Sequence, residues 1–99
     1  MPAVARIGDP FDTGHECDAV SNIAGGSGDV FANGIGVSRL GDSSEVHEIL
    51  EGGICVPHTA AISGGSSTVF VNGLACARIG DAIDAGAISG GSPDVFVGG

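Results

Sequence analysis

Lysine, tryptophan and tyrosine are all missing from these 99 residues, and three arginines face twelve acidic side chains. The formal net charge of -9 argues against nucleic acid as a partner, because neutralising phosphates needs clustered Lys and Arg. Anionic membrane surfaces are disfavoured on the same ground. The only aromatics are four phenylalanines. The three cysteines cannot all pair within one chain and are too few for a disulfide framework, so reduced thiols or metal ligation are expected. No basic, apolar leader opens the chain, and no stretch approaches the roughly 20 apolar residues of a membrane span. The expectation is a protein made in the cytoplasm without a signal peptide and carried elsewhere, if at all, by another machine.

What is abundant is glycine, at nineteen residues. Glycine in a helix interior costs roughly 1 kcal/mol relative to alanine, so large helices are unfavourable and an all-β, turn-rich domain fits better. Residues 1–99 are enough for a single domain near the lower limit of a self-sufficient core. A metal, disulfides or a partner should therefore reinforce it.

Two phrases recur three times each. Arg6-Ile7-Gly8-Asp9, Arg39-Leu40-Gly41-Asp42 and Arg78-Ile79-Gly80-Asp81 use every basic residue. Gly25-Gly26-Ser27-Gly28-Asp29-Val30-Phe31, Gly64-Gly65-Ser66-Ser67-Thr68-Val69-Phe70 and Gly90-Gly91-Ser92-Pro93-Asp94-Val95-Phe96 form the second set. Asn33-Gly34 and Asn72-Gly73 follow the first two Val-Phe pairs, and Asn-Gly between β-favouring runs predicts a hairpin with a type I′ turn. The third unit stops at Gly99, while residues 2–9 read as a second strand lacking its first. Residues 90–99 are thus expected to pair with residues 2–9 and close a ring of three hairpins.

Variable loops at residues 10–24, 43–63 and 82–89 separate the hairpins and should project from the end opposite the Asn-Gly turns. All three histidines, His15, His47 and His58, fall in them. A lone loop histidine is ordinarily just a polar residue. Three that converge in a core-poor domain point instead to zinc or ferrous iron. Cys55-Val56-Pro57-His58 adds a Cys-x-x-His pair, and Cys17 follows His15 by two residues, whereas Cys76 reads as a small buried strand residue. The arginines, each three residues before an Asp, read as local ion pairs holding the sheets in register rather than as catalytic groups. Gly25-Gly26-Ser27-Gly28-Asp29 departs from the calcium nonapeptide because its Asp is one place early and no nine-residue period exists. No nucleophile triad, phosphate loop or paired-carboxylate motif marks an enzyme.

The runs Pro2-Ala3-Val4-Ala5-Arg6-Ile7-Gly8-Asp9-Pro10 and Gly65-Ser66-Ser67-Thr68-Val69-Phe70-Val71-Asn72-Gly73-Leu74-Ala75-Cys76-Ala77-Arg78-Ile79-Gly80-Asp81 resemble those of PAAR-repeat proteins, and the resemblance spans essentially the whole chain. It implies a small cone of three β-hairpins with pseudo-three-fold symmetry, capping a trimeric β-helical spike in a type VI secretion system or contractile-tailed phage. One monomer would sit on each spike trimer, touch the target membrane only transiently, and be monomeric when free. It also implies a structural metal, usually zinc (Zn2+), held by His15, His47 and His58, with Fe2+ as the other candidate. Where the family commonly has a third-loop Cys followed by two glycines, this chain reads Asp84-Ala85-Gly86-Ala87. Cys55, by its spacing to His58, is the first choice for the fourth ligand, followed by Cys17, Asp84 and Cys76.

The leading expectation is a non-enzymatic spike-tip protein, located in a virion tail tip or a secreted spike, with no effector domain fused to it. A small zinc-dependent hydrolase using Glu45 or Glu48 is the alternative from another class. A metal-storage module is the third.

Overall fold

A computed structural model describes all 99 residues. The fold is all-β, with ten short strands in five antiparallel two-stranded sheets and no helix. In chain order the strands are β1 (Pro10–Asp12), β2 (Val20–Asn22), β3 (Phe31–Ala32), β4 (Ile35–Gly36), β5 (His47–Glu51), β6 (Ile54–His58), β7 (Phe70–Val71), β8 (Leu74–Ala75), β9 (Ala82–Ile83) and β10 (Gly86–Ala87). Each strand pairs with its sequence neighbour.

The Asn-Gly turns join β3 to β4 and β7 to β8 as expected. Asn33 and Gly34 have φ of 57° and 76°, and Asn72 and Gly73 have 54° and 78°, the two positive values of a type I′ turn. Residues 2–5 and 95–97 also meet: Ala3 bridges Phe96, the Val4 N–H donates to Val95 O at 3.0 Å, and Val97 donates to Pro2 O at 3.0 Å.

The three loops differ from expectation, because each contains a hairpin of its own. Gly52 and Gly53, with φ of 61° and 84°, turn β5 into β6 and give the long loop its longest strands. Gly-Gly is an adequate type I′ turn, flanked here by Ile49, Leu50, Ile54 and Val56.

Isolated bridges link the repeats in two sets of three. Bridges Arg6–Val37, Arg39–Cys76 and Arg78–Val4 make one such set. Ile23–Ser44, Ile62–Ile83 and Ile88–Phe11 make another. Between them Ser38 donates to Ala5 O at 2.9 Å, Ala77 to Ser38 O at 3.0 Å and Ala5 to Ala77 O at 2.9 Å, all three residues being fully buried. Only small side chains fit where three backbones approach this closely.

Two apolar clusters share the interior. Ala5, Phe11, Ile23, Ile62, Ala77, Ile83 and Ile88 form one, and Val4, Ala32, Val37, Val71 and Cys76 the other. Cys76 is thus the core residue that its strand position suggested. The molecule measures 41 × 23 × 23 Å along its principal axes.

Each Arg-x-Gly-Asp phrase is a tight turn. The Asp N–H donates to the Arg carbonyl at 3.0 Å, and Gly8, Gly41 and Gly80 have φ near +90°, as the third position of a type II turn requires. The Arg side chain forks onto the Asp carboxylate, with Nε and Nη2 contacts of 2.9–3.0 Å in every copy. Its Nη1 then crosses to the turn of another hairpin, Arg6 to Asn33 Oδ1 and Arg39 to Asn72 Oδ1. Arg78 reaches the Gly98 carbonyl instead. The guanidinium fork therefore ties each turn to its neighbour.

Candidate metal centre

Thr13 opens the segment that aims His15. This buried residue donates its N–H to Ala19 O at 2.9 Å and its hydroxyl to the Asp18 carbonyl, while its oxygen accepts the His15 N–H at 3.0 Å. His47 and His58 come from β5 and β6, where they are directly paired. Directly opposed residues project from the same face of a sheet, so one hairpin presents two imidazoles side by side. Phe11 meets the buried His47 ring edge-on at 5.8 Å.

Asp84 occupies the turn between β9 and β10 with φ of 58°, a left-handed conformation that Asp tolerates better than most residues. Its position is fixed from both sides. The Ala85 N–H donates to Thr13 O at 3.1 Å, and Gly86 passes so close to Asp12 that a Cβ would fall 1.9 Å from the Asp12 carbonyl oxygen. Only glycine fits there.

These elements bring His15, His47, His58 and Asp84 together, one donor atom from each within 4.8 Å of the others. His15 Nε2 lies 2.6 Å from Asp84 Oδ1, His47 Nε2 2.7 Å from Oδ2 and His58 Nε2 3.4 Å from Oδ1. The Asp84 side chain is only 7% exposed. Burial pushes its carboxyl up, but hydrogen bonds from His15 and His47, with the His15 and His58 charges beside it, hold it below the usual carboxylate range.

His47 is oriented through both of its ring nitrogens. Its Nδ1 lies 3.1 Å from the Glu45 carbonyl, an acceptor only, so Nδ1 holds the proton. In neutral imidazole that leaves a bare lone pair on Nε2, facing a carboxylate oxygen at 2.7 Å. Two lone pairs at that distance repel unless a proton or a metal ion lies between them. A backbone carbonyl fixing the far nitrogen is also the usual way a metal-ligating histidine is oriented. Three imidazoles and one carboxylate suit Zn2+ by number and type, and imidazole also suits iron.

Cys55, the expected fourth ligand, does not join this cluster. On β6 it stands three residues from His58, and successive strand side chains alternate faces, so the two point to opposite sides. It is bonded to Cys17 across a Cα separation of 5.9 Å. The expectation of reduced or metal-bound thiols is thereby corrected for this pair, and Cys17 leaves the candidate ligands with it. Cys76, the one free thiol, is buried away in the core. Asp84 takes the fourth place. The signal for it was the turn itself, Ile83-Asp84-Ala85-Gly86, which occupies in the third loop the place that histidines occupy in the others.

No protein-family model matches the chain, and no curated protein matches it either.

Proposed function

We propose that the chain is the tip of a trimeric, β-helical spike in a contractile injection machine, built on the PAAR pattern as a ring-closed, pseudo-three-fold cone. The observation that carries this reading is a surface made three times. Phe31, Phe70 and Phe96 hold equivalent repeat positions and are 58%, 58% and 47% exposed. A monomer can cover the end of a three-fold shaft only by presenting nearly the same face to each subunit. Three such phenylalanines would seal the shaft's apolar core and cover its exposed strand edges. The metal centre would stiffen the opposite end, which meets the target membrane.

Four protein donors match the closed shell of a structural zinc site, whereas a catalytic zinc keeps one position open. Glu48 lies on the β5 face opposite His47, so it is poorly placed to serve as a general base for a hydrolase. Both facts favour a structural role over catalysis.

Co-expression with a trimeric β-helical spike protein, followed by native mass spectrometry, tests the reading. One chain per trimer is expected, and the complex should be lost when Phe31, Phe70 and Phe96 are all changed to Glu. Metal-dependent hydrolysis by the free chain, with no association to the spike, would overturn it.

A further inference from the structure

The Cys17–Cys55 disulfide is close in sequence to two donors of the candidate metal centre. Cys17 is two residues from His15, and Cys55 is three from His58 on the same strand. The bond thus joins the segment that aims one imidazole to the hairpin that carries the other two.

Without it, only noncovalent contacts tie these pieces together. The outer half of the β5–β6 hairpin leaves Leu50 and Ile54 exposed, and Val46 at its base is exposed as well. Apart from the shared Asp84 and the packing of Phe11 and His15 on the hairpin imidazoles, the links include the Glu48 N–H to Asp18 Oδ2 at 2.7 Å and the Glu45 N–H to Asn22 O at 2.9 Å. Cys55 is exposed, so the disulfide is open to attack by dissolved thiols.

We propose that the Cys17–Cys55 disulfide is a redox-controlled staple that sets the metal affinity of the His15/His47/His58/Asp84 centre. Oxidised, it holds the three imidazoles around Asp84 in advance, so a metal ion meets a preformed site. Reduction proceeds by thiolate attack of a small thiol, such as glutathione, on the Cys55 sulfur. A mixed disulfide forms and Cys17 departs as a thiolate that takes up a proton. A second small thiol displaces Cys55 and leaves as the oxidised dimer, so two electrons and two protons enter the protein. His15 is then held to the hairpin by noncovalent contacts alone, through Asp84 and the neighbouring rings, and binding must order both more fully. Since neither cysteine is a ligand, the chemistry of the donor set is the same in both states and only its preorganisation changes.

The inference rests on the metal reading, and one titration separates the two. Zn2+ affinity is measured by chelator competition for the oxidised chain and for a Cys17→Ser/Cys55→Ser double variant. A loss of about tenfold or more is expected in the variant, as for other groups that orient ligands from outside the first shell. Linkage demands the reciprocal effect, so bound Zn2+ should shift the disulfide's equilibrium with glutathione toward the oxidised form by the same factor. This second measurement needs no variant and stands if the variant fails to fold. Equal affinity in both chains, or tighter binding after reduction because the thiols join the metal, overturns the staple. An oxidised chain that binds no Zn2+ overturns the metal reading itself.

Discussion

The Arg-x-Gly-Asp layer and the loop end are built on opposite plans. In the layer the guanidinium–carboxylate fork is made three times, by Arg6, Arg39 and Arg78 on Asp9, Asp42 and Asp81. At the loop end the donor set is not repeated. One histidine comes from the first loop, two from the second and a carboxylate from the third. Even the residues two places after each repeated Asp differ, being Phe11, Ser44 and Ile83. Repetition yields a surface that matches a repeated partner and tolerates loss of one copy. A metal centre needs several different donors at one point, and three diverged loops supply them.

If the loop end depends on unrepeated parts, removing one should cost more than removing a repeated one. Phe11→Ala is expected to have the largest effect, because Phe11 is fully buried and packs on the His47 ring. Such truncations cost about 3–5 kcal/mol. In a domain of this size that lowers Tm by roughly 15–30 °C. Thermal unfolding by circular dichroism measures it, and a fall below about 5 °C would mean that the loop end needs no such anchor.

Metal removal comes next. Excess chelator should destabilise the wild-type chain by about 3–4 kcal/mol, the linkage expected when free metal stands at 100–1,000 times its Kd. His47→Ala should be insensitive to chelator. A chelator shift that survives in that variant would place the ion elsewhere.

Arg39→Ala is the matching experiment in the repeated layer. It removes three side-chain bonds, two to Asp42 and one to Asn72, from a partly buried pair. The expected cost is about 1–2 kcal/mol in urea unfolding. Lysine should recover little of it, since a single ammonium cannot reproduce the fork. A cost above that of Phe11→Ala would reverse the ranking of the two regions.

The same contrast explains what could be read from the chain. The repeated parts were legible because repetition is visible: the Asn-Gly turns and the Arg–Asp pairs lie where the phrases place them. The histidines were legible because they are scarce. The fourth donor was not, because Cys55 is the better ligand by chemistry and fails by strand parity, and that parity becomes visible only once Gly52-Gly53 is read as a turn. Asp84 was among the candidates, but ranked behind two cysteines. Its selection depends on Gly86 packing against Asp12, a contact between distant loops.

The three edges of the repeated layer differ among themselves, and the smallest predicted effect uses that difference. Asn72 Nδ2 donates to Asp29 at 2.7 Å and Asn33 Nδ2 to Asp94 at 2.7 Å, whereas the third edge sets Gly98 and Gly99 against Ser66 and Ser67 with no Asn–Asp pair. Hydrogen bonds from Asn72 and Ser27 lower the Asp29 pKa below its ordinary value of 3.8, and those from Asn33 and Ser92 do the same for Asp94. A carboxyl with a depressed folded-state pKa stabilises the fold above its unfolded value, and that contribution disappears as pH falls through the folded one. The wild-type chain should therefore lose more stability between neutral pH and about pH 3 than an Asn33→Ala/Asn72→Ala variant. Asp84 is common to both chains and cancels in the difference, whereas loss of the Asn oxygens also removes one bond from each of Arg6 and Arg39 at every pH. Both groups are exposed, so the effect is small and screened by salt, and it should shrink further at high ionic strength. Parallel pH profiles for the two chains would show that these Asn–Asp contacts set only geometry.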